Sequence, residues 1–190
     1  MATAGVLIDD ILRRVRDPQG AATSRAQVLD LLDRCQIVVV RQTGTLIRDR
    51  TVTFPSAKLI HKIDTAAVLR IVDIYNASTD KRLSRMRWSA LVQVNTRWWR
   101  ETNTAGPTSW APLGSNYFLI YPGLGLVSFQ YTLREQLRPA ELTAEEVELE
   151  LPTEHHHILV DLVEALVLLR SREDSLKEAL DLLEAAHGQS

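Results

Sequence analysis

The longest run of apolar positions in the chain lies at 151–170, LPTEHHHILVDLVEALVLLR, and predicts a helix over 153–170. Its polar residues His157, Asp161 and Glu164 are spaced four and three apart, so they share one narrow stripe of a helix that turns every ~3.6 residues. A surface helix shows one apolar face, whereas this helix is apolar on nearly all sides, so we expect protein to surround it. Its apolar part is shorter than the ~20 residues that a bilayer requires and contains two carboxylates, which disfavours a membrane span.

Two further helices are predicted in the N-terminal part of the chain. Apolar residues recur at intervals of three and four over 4–16, and Asp17-Pro18 ends that pattern. The second helix is predicted over 24–47, where Ser24 and Gln27 form a capping box at its start.

A fourth helix is predicted over 173–186, and its apolar stripe includes Leu176, Leu180 and Leu183. Between the two pairs of helices, at about 51–133, the period changes to that of short strands, rich in β-branched and aromatic residues and separated by turn clusters. The chain is therefore predicted to be a single α+β domain over 1–190. It combines a helical bundle of two N-terminal and two C-terminal helices with an inserted module of short antiparallel β-strands.

Composition adds few constraints, because 45% hydrophobic and 24% charged residues are ordinary for a soluble globular protein. The single cysteine, Cys35, excludes a disulfide framework and a zinc–cysteine cluster, and we expect it to be buried. The N-terminus lacks a basic region ahead of an apolar core, so we expect no signal peptide and a reducing cytoplasm as the place of synthesis.

Charge is unevenly distributed, although the net charge is only −2. Residues 1–138 have 19 Lys+Arg and 11 Asp+Glu, whereas 139–190 have 3 Lys+Arg and 13 Asp+Glu. Two interpretations are open. In the first, the basic and acidic parts fold against each other or are simply exposed to solvent. In the second, the acidic part faces copies of itself, or DNA that must not bind to it.

The run His155-His156-His157 is the most conspicuous candidate for chemistry. A zinc site on a helix requires histidines four residues apart, whereas three consecutive side chains spread over about 200° of the helix. The Gly-rich segment 122–125 lacks the lysine of a phosphate-binding loop and predicts a hairpin turn. We find no nucleophile elbow and no supported carboxylate pair, so we expect neither a metal, a cofactor nor an enzymatic activity.

Tryptophans and arginines concentrate in 82–110, which holds four Trp and five Arg. Such a segment can bind nucleic acid through phosphate contacts and stacking, anchor a protein interface, or simply pack. Packing and a protein interface are favoured here, with Arg97, Trp98, Trp99 and Arg100 as candidate interface residues. The alternative is a DNA-binding regulatory protein that uses this segment.

A series of motifs follows in order along the chain. They are the helix ending at Asp17-Pro18, the L-L-D-x-x-Q centre of the second helix (31–36), the strand pair around a polar turn (68–82), Gly106-Pro107 followed by Trp110, the hairpin strand 118–122, a strand ending at Tyr131, and the L-P-x-x-x-H sequence of 151–156 before the long apolar helix. Their order resembles the head-to-tail connector, or adaptor, proteins of tailed bacteriophages, especially those of podovirus type. The resemblance extends over nearly the whole chain, although it departs in the acidic run before Leu151 and in lacking an Asp-Pro-Pro repetition after Tyr121.

This resemblance implies a structural role in the virion neck. Such proteins form a ring, typically of twelve copies, beneath the portal, extend the DNA channel, and present a docking surface to tail-tube, nozzle or tail-fibre proteins. Double-stranded DNA would pass without sequence-specific binding, and no membrane would be involved. Leu162 and Leu166 are expected at contacts between copies, and Leu176, Leu180 and Leu183 at contacts with the portal.

Overall fold

The computed structural model describes residues 2–17, 19–20, 22–55, 58–94, 96–103, 105–124 and 128–187, with the side chains of 94, 103, 124 and 172–187 outside that description.

The chain forms two compact units. We call Met1–Thr43 with Pro139–Ser190 the helical unit, and Gly44–Arg138 the β unit. In chain order the elements are α1 (Ala4–Arg14), α2 (Arg25–Thr43), β1 (Ile47–Phe54), β2 (Ile60–Lys62), β3 (Val68–Asn76), β4 (Ser84–Arg85), α3 (Trp88–Val94), β5 (Thr102–Asn103), β6 (Ser109–Leu113), β7 (Tyr117–Tyr121), β8 (Gly123–Leu124), β9 (Phe129–Leu137) and α4 (His156–His187), with 3₁₀ turns at Trp98–Arg100 and Thr153–His155.

The helical unit packs α1, α2 and the first half of α4 around one apolar core, because each helix turns one apolar stripe inward. Cys35 is buried in α2, as predicted, and burial raises the pKa of its thiol. The buried apolar residues are Ala4, Leu7, Ile8, Ile11, Leu12, Val28, Leu32, Cys35, Val39, Val40, Leu142, Leu149, Leu151, Leu159, Val160, Val163 and Val167.

The β unit contains a three-stranded sheet of order β1-β9-β3, a four-stranded sheet of order β2-β7-β6-β4, and the short pair β5-β8. β1 and β9 are antiparallel over their full length, from Ile47 opposite Gln136 to Phe54 opposite Phe129. Two short pairs, β4 with β6 and β5 with β8, are parallel, which the prediction of antiparallel strands did not include. The main core of the unit consists of Phe54, Ile63, Val68, Ile71, Ile74, Leu83, Trp110, Phe118, Ile120, Tyr131 and Leu133.

The predicted fold class, α+β with a strand-rich insertion between helices, is confirmed. The two C-terminal helices predicted at 153–170 and 173–186 are one helix in the structure. The helix continues through Ser171 because no glycine or proline near this residue interrupts its backbone hydrogen bonds. The Ser171 hydroxyl donates a hydrogen bond to the carbonyl of Leu168 at 2.9 Å, within the helix. No helix in the described ranges is long and apolar enough to span a bilayer.

The second helix ends at Thr43, four residues earlier than predicted at 47, and the first ends at Arg14 instead of 16. Gly44 has φ +70°, a left-handed conformation that terminates helices, and Leu46 also has a positive φ. The apolar residues after Gly44 continue a helical period by sequence, but Ile47 begins β1 instead, because its partner strand β9 supplies the backbone hydrogen bonds.

Candidate interaction surfaces

α4 has an apolar side that the described chain does not cover. Its buried residues, Leu159, Val163 and their neighbours, face α1 and α2. Leu162, Leu166 and Leu169 are spaced four and three apart, so they line an adjacent stripe, which we call the α4 apolar face. Leu162 is half-buried, whereas 36% of Leu166 and 57% of Leu169 remain exposed. An apolar stripe of this kind on a helix marks a surface available for protein contact.

The polar stripe of α4 pairs with α1 through one arginine. The Arg14 guanidinium lies 2.9 Å from the Asp161 carboxylate and 3.5 Å from that of Glu164. It also lies 3.0 Å from Asp10 within α1. These groups are partly solvated, so the pairs contribute little to stability and mainly orient the two helices.

The three consecutive histidines diverge, as their spacing predicts. The Nε2 atom of His156 is buried 2.9 Å from the carbonyl oxygen of Leu151, His157 is exposed, and His155 lies 3.5 Å from Glu154. Among the described residues, no group of three or more His, Cys, Asp or Glu side chains is arranged to hold a metal ion.

The β unit brings together three of the four tryptophans. Trp98 is buried in the 3₁₀ turn, and the rings of Trp88 and Trp99 meet it edge-on, with centroid distances of 4.8 and 5.9 Å. Trp110 belongs to the main core of the unit instead, because β6 is an inner strand. Strand β4 pairs Arg85 with Trp110, and the Arg85 guanidinium lies 5.4 Å from the indole ring centre.

Exposed arginines flank the clustered tryptophans along the sequence. Together with Trp88 and Trp99, whose exposed fractions are 37% and 52%, they form what we call the Arg/Trp surface. An open groove of about 620 Å³ lies on it, between Arg85, Arg87, Trp88 and Pro112. Trp and Arg are the residue types most enriched at the centres of protein interfaces. The arginines of the Arg/Trp surface are Arg85, Arg87, Arg97 and Arg100.

The sequence-predicted interface residues therefore have different environments. Arg97, Trp99 and Arg100 are exposed, whereas Trp98 is buried and its ring meets that of Trp99. Leu162 and Leu166 belong to the α4 apolar face. The predicted portal-contacting side chains Leu176, Leu180 and Leu183 lie outside the described side chains.

The charge asymmetry along the sequence is also present between the two units. The β unit, Gly44–Arg138, has 13 Lys+Arg and 6 Asp+Glu, which is a net charge of +7. The helical unit has the remaining 9 Lys+Arg and 18 Asp+Glu, a net charge of −9. The sequence analysis set the boundary at 138 and missed that the N-terminal helices, with 6 Lys+Arg and 5 Asp+Glu in 1–43, belong to the acidic unit.

A buried carboxylate in the β unit is another feature that the sequence analysis missed. Glu135 on β9 is 1% exposed and accepts hydrogen bonds from Arg48 at 2.9 Å and Arg50 at 2.5 Å. Arg48 and Arg50 are two residues apart on β1, so both side chains lie on one face of the sheet, beside Glu135. The spacing of Arg48 and Arg50 could have indicated two arginines on one face of a strand. It could not identify their carboxylate partner, which is more than 80 residues away in the sequence.

The segment 139–150 lies along the start of α1. The Ala4 and Gly5 amides donate to the carbonyls of Val147 and Glu145 at 2.9 and 2.8 Å, and Leu142 and Leu149 are buried. Arg25 donates three hydrogen bonds to the Glu145 carboxylate, and these hydrogen bonds lower the pKa of Glu145. The carboxylate of Glu150 accepts a hydrogen bond from the Ala140 amide at 2.9 Å. The other exposed carboxylates of this segment, Glu141, Glu146 and Glu148, form what we call the acidic edge.

The structure thus combines an α+β fold with an apolar stripe of α4 that the described residues leave partly exposed and with charge separated between its units. The family model of the SU10 adaptor protein matches residues 2–189. The chain therefore belongs to the SU10 adaptor protein family, which confirms the resemblance to phage adaptor proteins. The comparison with curated proteins found no match. Membership in this family makes the chain a structural component of the virion that interacts with other phage proteins, and it implies a non-enzymatic role.

Proposed function

We propose that this protein forms a ring, of twelve copies in the simplest case, that joins the portal to the tail of a podovirus-type virion and extends the DNA channel. In this proposal the two units act as one adaptor domain. Its partners are other copies of itself, the portal protein, and tail-tube, nozzle or tail-fibre proteins. The single observation that carries the proposal is the α4 apolar face, which has no cover within the described chain of a protein that belongs to an adaptor family.

A closed ring needs lateral contacts between identical chains, and these bury the exposed apolar surface that a monomer leaves in water. Leu162, Leu166 and Leu169 supply such a surface on a helix that is otherwise anchored in the core of the helical unit. In the proposal, neighbouring copies cover this face.

The negative charge of the helical unit supports a role next to DNA that must slide. With a net charge of −9, the unit repels phosphates instead of binding them. In the proposal, DNA passes without sequence-specific contact. The C-terminal half of α4, which includes Leu176, Leu180 and Leu183, makes the portal contacts.

The test is the mass of the native complex formed by the full chain with and without the portal protein of the same phage. We expect a complex with portal that contains a fixed multiple of adaptor copies, whether or not the adaptor alone is monomeric. An adaptor that remains monomeric and never joins portal would refute the proposal.

A second candidate function, duplex-DNA binding as a regulator, is favoured by the Arg/Trp surface alone. Exposed arginines beside aromatic rings can contact phosphates and bases. Specific duplex binding at micromolar concentration or tighter, lost in Arg97→Ala with Arg100→Ala, would support this function. Binding that is absent at physiological salt would exclude it.

A further inference from the structure

We propose that the Arg/Trp surface of one copy binds the acidic edge of a neighbouring copy, which makes this pair the polar part of the lateral contact. The inference rests on the proposed ring and specifies which surfaces meet in it. Each surface holds charged groups that make no ion pair within the described residues, and the two surfaces have opposite charge.

The Arg/Trp surface has cations available for a partner. Within the part of the chain that the structure describes, Arg87 and Arg100 have no carboxylate partner, whereas Arg82, nearby in sequence, is already held by Asp73 at 2.5 Å. Between the arginines lie Trp88 and Trp99, which are partly exposed. A carboxylate seated among these groups gains charge-assisted hydrogen bonds beside an apolar wall that excludes water.

The acidic edge has the matching anions, held in a fixed position. The carboxylates Glu141, Glu146 and Glu148 make no ion pair or hydrogen bond within the described residues. The backbone that bears them is fixed by the amides of α1 and by Leu142, whose N–H donates to Asp33 at 2.8 Å. A preorganised segment loses little conformational entropy on binding, which favours it over a mobile acidic tail.

A second copy is the occupant that charge complementarity favours. Rotational ring symmetry requires two different surfaces on each chain, one complementary to the other. A β unit of +7 and a helical unit of −9 provide this complementarity in every copy. Opposite charge also fixes the register of neighbours and opposes contact between like surfaces.

Two charge-reversed chains test the pairing by assembly on portal. The first has Arg87→Glu and Arg100→Glu, and the second has Glu146→Arg and Glu148→Arg. All four side chains are exposed, so the melting temperatures should match the wild type. We expect each variant alone to assemble at least about tenfold less well than the wild type, because like charges then meet at every contact.

An equimolar mixture of the two variants should restore assembly. Copies of each kind can alternate in a ring with an even number of subunits, so that every contact again joins opposite charges. A single chain with all four substitutions should also assemble. The control is Lys58→Glu with Lys62→Glu, an equal charge change at exposed positions outside the Arg/Trp surface, which should assemble like the wild type.

The outcomes separate this inference from the proposed function. If the wild type does not join portal, the proposed function fails. If the wild type assembles and both reversed variants assemble equally well, only the pairing is refuted. The pairing is also refuted if each variant fails to assemble alone and the equimolar mixture of the two does not restore assembly. It is refuted as well if the wild type binds duplex DNA and the variant with Arg87→Glu and Arg100→Glu loses this binding but assembles normally.

Discussion

Truncation of the α4 apolar face should separate assembly from folding. Fully burying a leucine side chain is worth about 1.5–3 kcal/mol. In the free chain 36% of Leu166 and 57% of Leu169 is exposed, which together is close to the surface of one whole leucine. Covering both side chains in the ring should therefore contribute about 1.5–3 kcal/mol per copy. Leu166→Ala with Leu169→Ala should therefore weaken association roughly tenfold to a hundredfold. Alanine is the best helix former, and both leucines are only partly covered in the monomer, so the free chain should lose less stability than it does when a fully buried side chain is truncated.

The assay measures association with portal over a concentration series, beside urea unfolding of the free chain. The matched control is Val163→Ala, one turn earlier on the buried side of α4, where exposure is 0%. That change should cost about 2 kcal/mol of unfolding free energy, because it removes buried methyl groups and leaves a cavity. If the double truncation destabilises the free chain as much as Val163→Ala does, or leaves portal association unchanged, then the α4 apolar face is not an interface.

Other predictions concern stability of the β unit. Burial lowers the pKa of His61 to about 4 from 6.5. The unfolded chain therefore binds a proton that the folded chain does not, and stability should fall by up to about 3 kcal/mol as pH drops from 6.5 to 4. His61→Phe should flatten this dependence in urea unfolding at several pH values, and an unchanged slope would contradict it. Arg48→Met with Arg50→Met leaves Glu135 buried without a cation and should cost roughly 3–5 kcal/mol in urea unfolding, whereas Arg50→Met alone should cost less. Gly106→Ala should lower the melting temperature, because φ is +91° and the new Cβ would lie 3.0 Å from a buried tyrosine hydroxyl; an unchanged value would argue against strain there.

The fold class could be predicted because helices and strands impose different periods on apolar positions. The helices at 4–16 and 24–47 and the strand-rich segment that follows them are predicted directly from those periods. The ends of the helices were less predictable. The residues after Gly44 continue the helical period but join a sheet. The sequence could not show this, because the partner strand 129–137 lies far away along the chain. The break expected near Ser171 does not exist, because polar residues alone do not end a helix.

The candidate surfaces were predictable in part. The concentration of Trp and Arg in 82–110 indicated an interface, but only the fold shows that Trp98 supports Trp88 and Trp99 whereas Trp110 belongs to the core. Sequence spacing places residues on a helix face, but it cannot say which face meets a neighbouring element. That choice depends on contacts between residues far apart in the chain.

By itself, the sequence determined that α4 is apolar nearly all round, that His155, His156 and His157 cannot converge on one ion, and that charge is segregated. Each is a local property of residue type and helical pitch. Only the tertiary structure decided that one side of α4 is buried against α1 and α2 while Leu166 and Leu169 stay exposed. It also decided that Arg25 holds Glu145, whereas the acidic edge finds no such partner among the residues that the structure describes. Burial and pairing arise from long-range packing, which brings together groups that the sequence keeps more than a hundred residues apart.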